Sequence, residues 1–120
     1  MIKKIAFVVY PVENILRARR FYETILGLVV GKSTAGGEWI EYDLPQGGCF
    51  AITTLTQEII PKGNIGANVA FEIENLEDFI AELKKKEVKF KRDVYDSPVC
   101  KIAVIFDSEG NTIILHQLKF

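Results

Sequence analysis

The chain has 120 residues, of which 48% are hydrophobic, and its 15 basic residues nearly balance its 16 acidic ones. This length suits one domain with its own hydrophobic core. The balance of charge argues against a nucleic-acid partner, and the chain has no cationic amphipathic face for a membrane surface. The apolar run 5–10 stops at Pro11, too early for a signal-peptide core or a membrane span, so we predict a cytoplasmic protein.

The first half of the chain begins with a predicted strand and helix. Residues 3–10 are rich in β-branched and aromatic residues, which favour a strand. Asn14 is a suitable helix N-cap, because its short side chain can accept a hydrogen bond from a free backbone N–H. Apolar residues then recur at helical spacing until Gly27, which is expected to end the helix. Three strands are predicted to complete this half, near 29–33, 38–44 and 49–55.

The same order of elements recurs after a predicted linker near 57–66. Residues 68–73 form a predicted strand, and Asn75 is suited to cap a second helix. Lysines in the last turn of that helix interact favourably with the negative end of the helix dipole. We therefore do not interpret them as a nucleic-acid patch. Three more strands are predicted, near 88–94, 99–106 and 111–118. The halves therefore predict two βαβββ modules, about 1–58 and 66–120, within a single domain 1–120.

Searches for other chemical motifs give nothing. The two cysteines, Cys49 and Cys100, lack metal-type spacing and have no histidine near them in sequence, so we expect buried free thiols in a reducing compartment. No glycine-rich phosphate loop opens a helix, and no nucleophile elbow is present.

The C-terminal segment carries a family resemblance. Gly110 can adopt the positive φ of a hairpin turn, and Asn111 can hydrogen-bond locally. The string Phe106-Asp107-Ser108-Glu109-Gly110-Asn111-Thr112-Ile113-Ile114-Leu115 resembles the C-terminal signature of the vicinal oxygen chelate family, which includes glyoxalases, bleomycin-resistance proteins and extradiol dioxygenases. The Phe21-Tyr22 pair followed by Leu26-Gly27-Leu28 is similar to the end of the family's first helix.

The resemblance implies an α+β fold in which two βαβββ modules form a cupped mixed sheet with helices on its convex side. The family usually carries glycine at the position of Glu87; if the backbone there is left-handed, Glu should cost roughly 1 kcal/mol relative to Gly. Metal-using members place four ligands, usually His, Glu or Gln, inside the cup. Three of these positions correspond here to Phe7, Asn68 and Ile114, and the fourth falls within 49–55, which contains no such residue. Because phenyl and alkyl groups cannot coordinate a metal and an amide oxygen is a weak ligand, we predict no metal and no cofactor.

Strand alternation predicts which side chains face the cup, since successive residues point to opposite sides. The residues expected there include Asp43 and the candidate ligand-binding residues. The ligand-binding candidates are Phe7, Trp39, Glu41, Asn68, Glu72, Ile114 and His116.

Three functions remain open. The first is metal-free binding of a small organic molecule, planar or cationic, because Phe7 and Trp39 offer aromatic surface and Glu41 and Glu72 negative charge. The second is an enzyme of the family's lyase, isomerase or dioxygenase type. It would use His116 with a carboxylate of the cup, or an unrecognised metal site. The third is a dimerisation or regulatory module with the first and fifth strands at the sheet edges. We predict the first function, in a homodimer.

Overall fold

The computed structural model describes Met1, Lys3, residues 5–55 and residues 68–119. The chain divides into two compact units, Met1–Pro61 and Lys62–Phe120. The predicted linker near 57–66 lies outside the described residues, so the predicted module boundaries stay a prediction.

The first unit has the order βαβββ, as predicted. The elements are β1 (Val8–Pro11), α1 (Ile15–Arg19), a π-helical segment (Arg20–Ile25), β2 (Val30–Thr34), β3 (Trp39–Asp43) and β4 (Cys49–Thr53). The four strands form one mixed sheet in the order β1-β4-β3-β2, with β1 parallel to β4 and the other pairs antiparallel. A short 3₁₀ turn at Ala35–Gly37 connects β2 and β3.

The first helix begins as predicted but does not stay an α-helix. Asn14 caps it, accepting a hydrogen bond from the Arg17 backbone N–H at 3.0 Å. Beyond Arg19 the helix widens, and the Leu26 N–H donates to the Phe21 carbonyl at 2.9 Å, an i to i+5 bond typical of a π-turn. Apolar periodicity cannot separate this turn from an α-helix. Gly27 then ends the segment with a φ of 80°.

The second unit repeats this order. The elements are β5 (Val69–Glu72), α2 (Leu76–Lys85), β6 (Phe90–Asp96), β7 (Cys100–Phe106) and β8 (Thr112–Leu118). Asn75 caps α2 by accepting from the Asp78 backbone N–H at 3.3 Å. The sheet has the strand order β5-β8-β7-β6, with β5 parallel to β8, so β1 and β5 both lie at sheet edges as predicted. The predicted α+β fold of two βαβββ modules is confirmed.

The carboxylate of Asp107 stabilises the hairpin turn between β7 and β8. Asp107 Oδ1 accepts from the backbone N–H groups of Glu109 and Asn111, each at 2.8 Å. The buried Asn111 amide donates to Asp107 Oδ2 at 2.9 Å, and Gly110 has a φ of 86°. These bonds pair the buried side chains of Asp107 and Asn111, which explains why Asp, Gly and Asn occur together there.

In each unit, one face of the sheet packs on the helix. In the first unit, the Tyr22 ring contacts Tyr42 and Phe50, with ring centroids 6.1 and 5.1 Å away, and the buried Tyr42 hydroxyl donates to Glu23. In the second unit, the apolar residues buried on α2 and on the facing side of the sheet are Leu76, Ile80, Leu83, Phe71, Ala103, Ile105, Ile113 and Leu115. Within the described ranges, no helix is long and apolar enough to cross a membrane.

Replacing Glu87 by Gly should raise the free energy of unfolding by up to about 1 kcal/mol. Glu87 has a φ of 61°, a left-handed conformation that costs a side chain with a Cβ but not glycine. Urea unfolding at equilibrium measures the change. The matched control is Gly27→Ala, at the corresponding end of the first helix, where among the described residues no atom other than those of the chain neighbours lies within 4 Å of the added Cβ. It should destabilise the protein through the backbone alone, and a Glu87→Gly variant that is less stable than the parent would contradict the prediction.

Candidate functional site

The candidate site in the second unit lies on its open face, the side of the sheet opposite α2. Cross-strand partners point to the same side of a sheet, so the register identifies the residues of this face. They form two rows across the four strands, one of Ala70, Ile114, Val104 and Arg92, and one of Glu72, His116, Ile102 and Tyr95.

A cavity of about 380 Å³ opens on this face. Its lining combines apolar, polar and cationic side chains, and comprises Asn68, Lys91, Arg92, Val104, Thr112 and Ile114. The Thr112 hydroxyl donates to the Asn68 side-chain oxygen, which orients the amide so that its NH₂ group is the remaining donor. The Arg92 guanidinium lies 5.7 Å from the centroid of the Tyr95 ring, a cation–π contact that restricts the long side chain.

Two sequence-predicted residues form a hydrogen-bonded pair beside the cavity. His116 Nδ1 lies 2.6 Å from Glu72 Oε1, and Glu72 Oε2 accepts from the Leu118 backbone N–H at 2.7 Å. The hydrogen bond from His116, followed by that from Leu118, lowers the pKa of the Glu72 carboxyl below its usual value. Glu72 is therefore ionised at neutral pH, and it fixes the orientation of an imidazole that lies one row from Ile114.

The residues at the family's metal-ligand positions do not fit a divalent ion. Asn68 and Ile114 supply a neutral amide and an alkyl group, and Phe7 in the first unit supplies a phenyl ring. Within residues 5–55 and 68–119, no group of three or more His, Cys, Asp or Glu side chains is placed to hold a metal ion.

The open face of the first unit carries an aromatic pair and an oriented carboxylate. Phe7, which is 43% exposed, packs edge-to-face on Trp39 with ring centroids 5.4 Å apart. The Trp39 indole N–H donates to Glu41 Oε2 at 2.8 Å, and Cys49 Sγ lies 3.8 Å from Glu41 Oε1. Burial and the nearby Glu41 charge raise the pKa of the Cys49 thiol, so it stays protonated. Both cysteines are free, but they are partly exposed rather than buried as expected.

The structure thus distributes the predicted residues over two separate faces. Phe7, Trp39 and Glu41 share the first unit's open face. In the second unit, Asn68 and Ile114 line one cavity, and Glu72 pairs with His116. Their role in ligand binding stays a prediction.

Sequence reasoning missed Lys91 and Arg92. In a regular strand these neighbours would point to opposite sides, yet both line the cavity. The pairing of β6 with β7 shifts register between Phe90 and Arg92 and again between Arg92 and Tyr95. Such bulges change the direction in which side chains point, and no residue type in this segment predicts them.

Comparison with solved structures shows the same fold in proteins of different description. One is TnmS3, an antibiotic binding protein from Streptomyces sp. CB03234, with a TM-score of 0.83, 18% identity and coverage of 98% of both chains. A second is a glyoxalase/dioxygenase from Nostoc punctiforme, with a TM-score of 0.80, 16% identity and coverage of 98% of this chain and 92% of the other. A third is a lactoylglutathione lyase from Agrobacterium tumefaciens, with a TM-score of 0.73, 13% identity and coverage of 95% and 92%. At these identities the likeness concerns the fold alone.

Sequence comparison with curated proteins finds no match. The family model for the Glyoxalase/Bleomycin resistance protein/Dioxygenase superfamily matches residues 4–115, which is nearly the whole chain. The chain therefore belongs to this superfamily.

Proposed function

We propose that this protein binds a small organic molecule directly with its side chains, without a metal ion. The observation that carries the proposal is the cavity of the second unit. Asn68 and Ile114 occupy positions at which metal-using members of the superfamily carry ligands, and here both line that cavity. Neither offers a carboxylate or an imidazole to a divalent ion, but both can contact an organic molecule.

The size and lining of the cavity support this proposal. Small-molecule sites commonly enclose about 300 to 1,000 Å³ and combine apolar walls with a few polar groups. At about 380 Å³, this cavity suits a molecule of modest size. Val104 and Ile114 supply apolar contact, while Asn68 and Thr112 supply polar atoms that can fix its orientation.

The open face of the first unit supports recognition of a planar or cationic group. An exposed aromatic edge at Phe7 and Trp39 favours a flat ring. The Glu41 carboxylate, held by the Trp39 indole, favours a positive charge beside the aromatic surface.

The description of TnmS3 as an antibiotic binding protein is consistent with a binding role for this fold. We extend that role to this chain as part of the proposal, together with a cytoplasmic location and a homodimer. In a dimerisation module that binds no ligand, side chains should fill the open sheet face. The cavity of the second unit argues against that role.

A direct test uses the fluorescent probe N-phenyl-1-naphthylamine, which is aromatic and uncharged. Protein treated with EDTA should bind it as well as untreated protein does. Ile114→Trp should weaken binding by about tenfold or more, because a larger side chain fills the cavity and removes apolar contact. Titration followed by fluorescence measures both.

The control for this test is Leu16→Trp, which adds the same chromophore on an exposed position of α1. It should bind the probe like the parent. Binding that requires an added divalent ion, or that survives Ile114→Trp unchanged, would refute the proposal.

A second candidate function is metal-free proton transfer by His116. The observation that favours it is the 2.6 Å contact between His116 and Glu72. A carboxylate that fixes one ring nitrogen leaves the other to take or give a proton, the arrangement of a general acid–base pair.

If His116 transfers protons, EDTA-treated protein incubated in D₂O with a metabolite extract should yield deuterated or new products detectable by mass spectrometry. His116→Gln should abolish them, since glutamine cannot exchange a proton near neutral pH. Glu72→Gln should slow their formation, because it keeps the shape but removes the charge that orients the imidazole. Equal product formation by His116→Gln and the parent would exclude this function.

A further inference from the structure

We infer that the ligand of the second unit's cavity carries an anionic oxygen group, such as a carboxylate or sulfonate, on an apolar body. This inference rests on the proposed function, because it names the chemical class of the molecule that the same cavity binds.

The charged side chains of the cavity are cationic. Among the described residues, the lining holds two cations, Lys91 and Arg92, and no acidic residue. Glu72, the carboxylate in the neighbouring row of this face, already accepts hydrogen bonds from His116 and Leu118. Arg92, whose guanidinium packs on the Tyr95 ring, is the cation that an anionic group of the ligand would contact.

The donors at the cavity match an anionic oxygen group. The guanidinium of Arg92 offers a planar set of N–H donors, which suits the paired oxygens of a carboxylate or sulfonate. The Tyr95 ring limits the positions that this guanidinium can take. The amide NH₂ of Asn68 adds a neutral donor, since its oxygen accepts from Thr112.

The register of β6 makes this arrangement possible. The shifts on either side of Arg92 bring two consecutive residues, Lys91 and Arg92, to one cavity, where a regular strand would present only one.

The remaining lining excludes a purely inorganic anion as the preferred ligand. Val104 and Ile114 present alkyl surface to the cavity. A hydrated phosphate or sulfate would either leave this surface without contact or lose part of its hydration shell, which costs free energy. An aromatic or aliphatic acid uses both the alkyl surface and the cations.

The experiment compares two probes of similar aromatic body. One is 8-anilinonaphthalene-1-sulfonate, and the other is N-phenyl-1-naphthylamine, which lacks the sulfonate. The sulfonate should bind the parent protein about tenfold more tightly at low salt, a typical difference for charge-assisted hydrogen bonds, and the advantage should shrink in high salt. Arg92→Gln should remove most of that advantage, so that the variant binds the two probes with similar affinity.

Lys89→Gln is the matched control, because it removes one positive charge from an exposed residue outside the cavity lining. It should retain the preference for the sulfonate. Equal affinity for the two probes, or a preference that Arg92→Gln leaves intact, would overturn the inference while the proposed function stands. If Ile114→Trp bound both probes as tightly as the parent, binding would lie outside the cavity. That result would overturn both the inference and the proposed function.

Discussion

The packing of one helix against one sheet face is the constraint on which each unit depends. In the second unit, Phe71, Ile105, Ile113 and Leu115 are buried on the helix side of the sheet. A register slip of β8 by one residue would turn its two buried side chains, Ile113 and Leu115, away from the helix. At about 1.5 to 3 kcal/mol each, the loss would be roughly 3 to 6 kcal/mol, a large fraction of the whole stability of a domain. The helix therefore decides which residues occupy the open face.

That constraint leaves the open face free to change its chemistry while the fold persists. Asn68 and Ile114 do not carry the stability of the helix-side core, so substitution there costs the fold little. In this chain they line a cavity, with Lys91 and Arg92 beside them. The first unit's open face differs in character, since Phe7, Trp39 and Glu41 present aromatic surface and negative charge. Membership of the superfamily thus accounts for the scaffold, and the side chains of these faces account for the proposed binding.

The features that sequence reasoning predicted correctly are those with a local physical cause. Asn14 and Asn75 cap their helices, and Gly27 ends the first helical segment. Strict alternation along β8 correctly separated the buried Ile113 and Leu115 from Ile114 and His116. The π-helical segment and the bulges of β6 were missed, because both arise from how side chains pack and leave the hydrophobic pattern unaltered. Those bulges bring Lys91 and Arg92 to the cavity. Because the sequence pattern does not predict the bulges, the sequence alone favoured a planar or cationic ligand.

The central claim is that this scaffold binds an organic molecule at positions where metal-using relatives bind an ion. Native mass spectrometry combined with elemental analysis, on protein purified from its own host without chelators, tests it most directly. The account predicts a bound organic mass and less than stoichiometric zinc, nickel, iron or manganese. A full equivalent of one of these ions, retained by the native protein and lost together with its ligand on chelation, would contradict it.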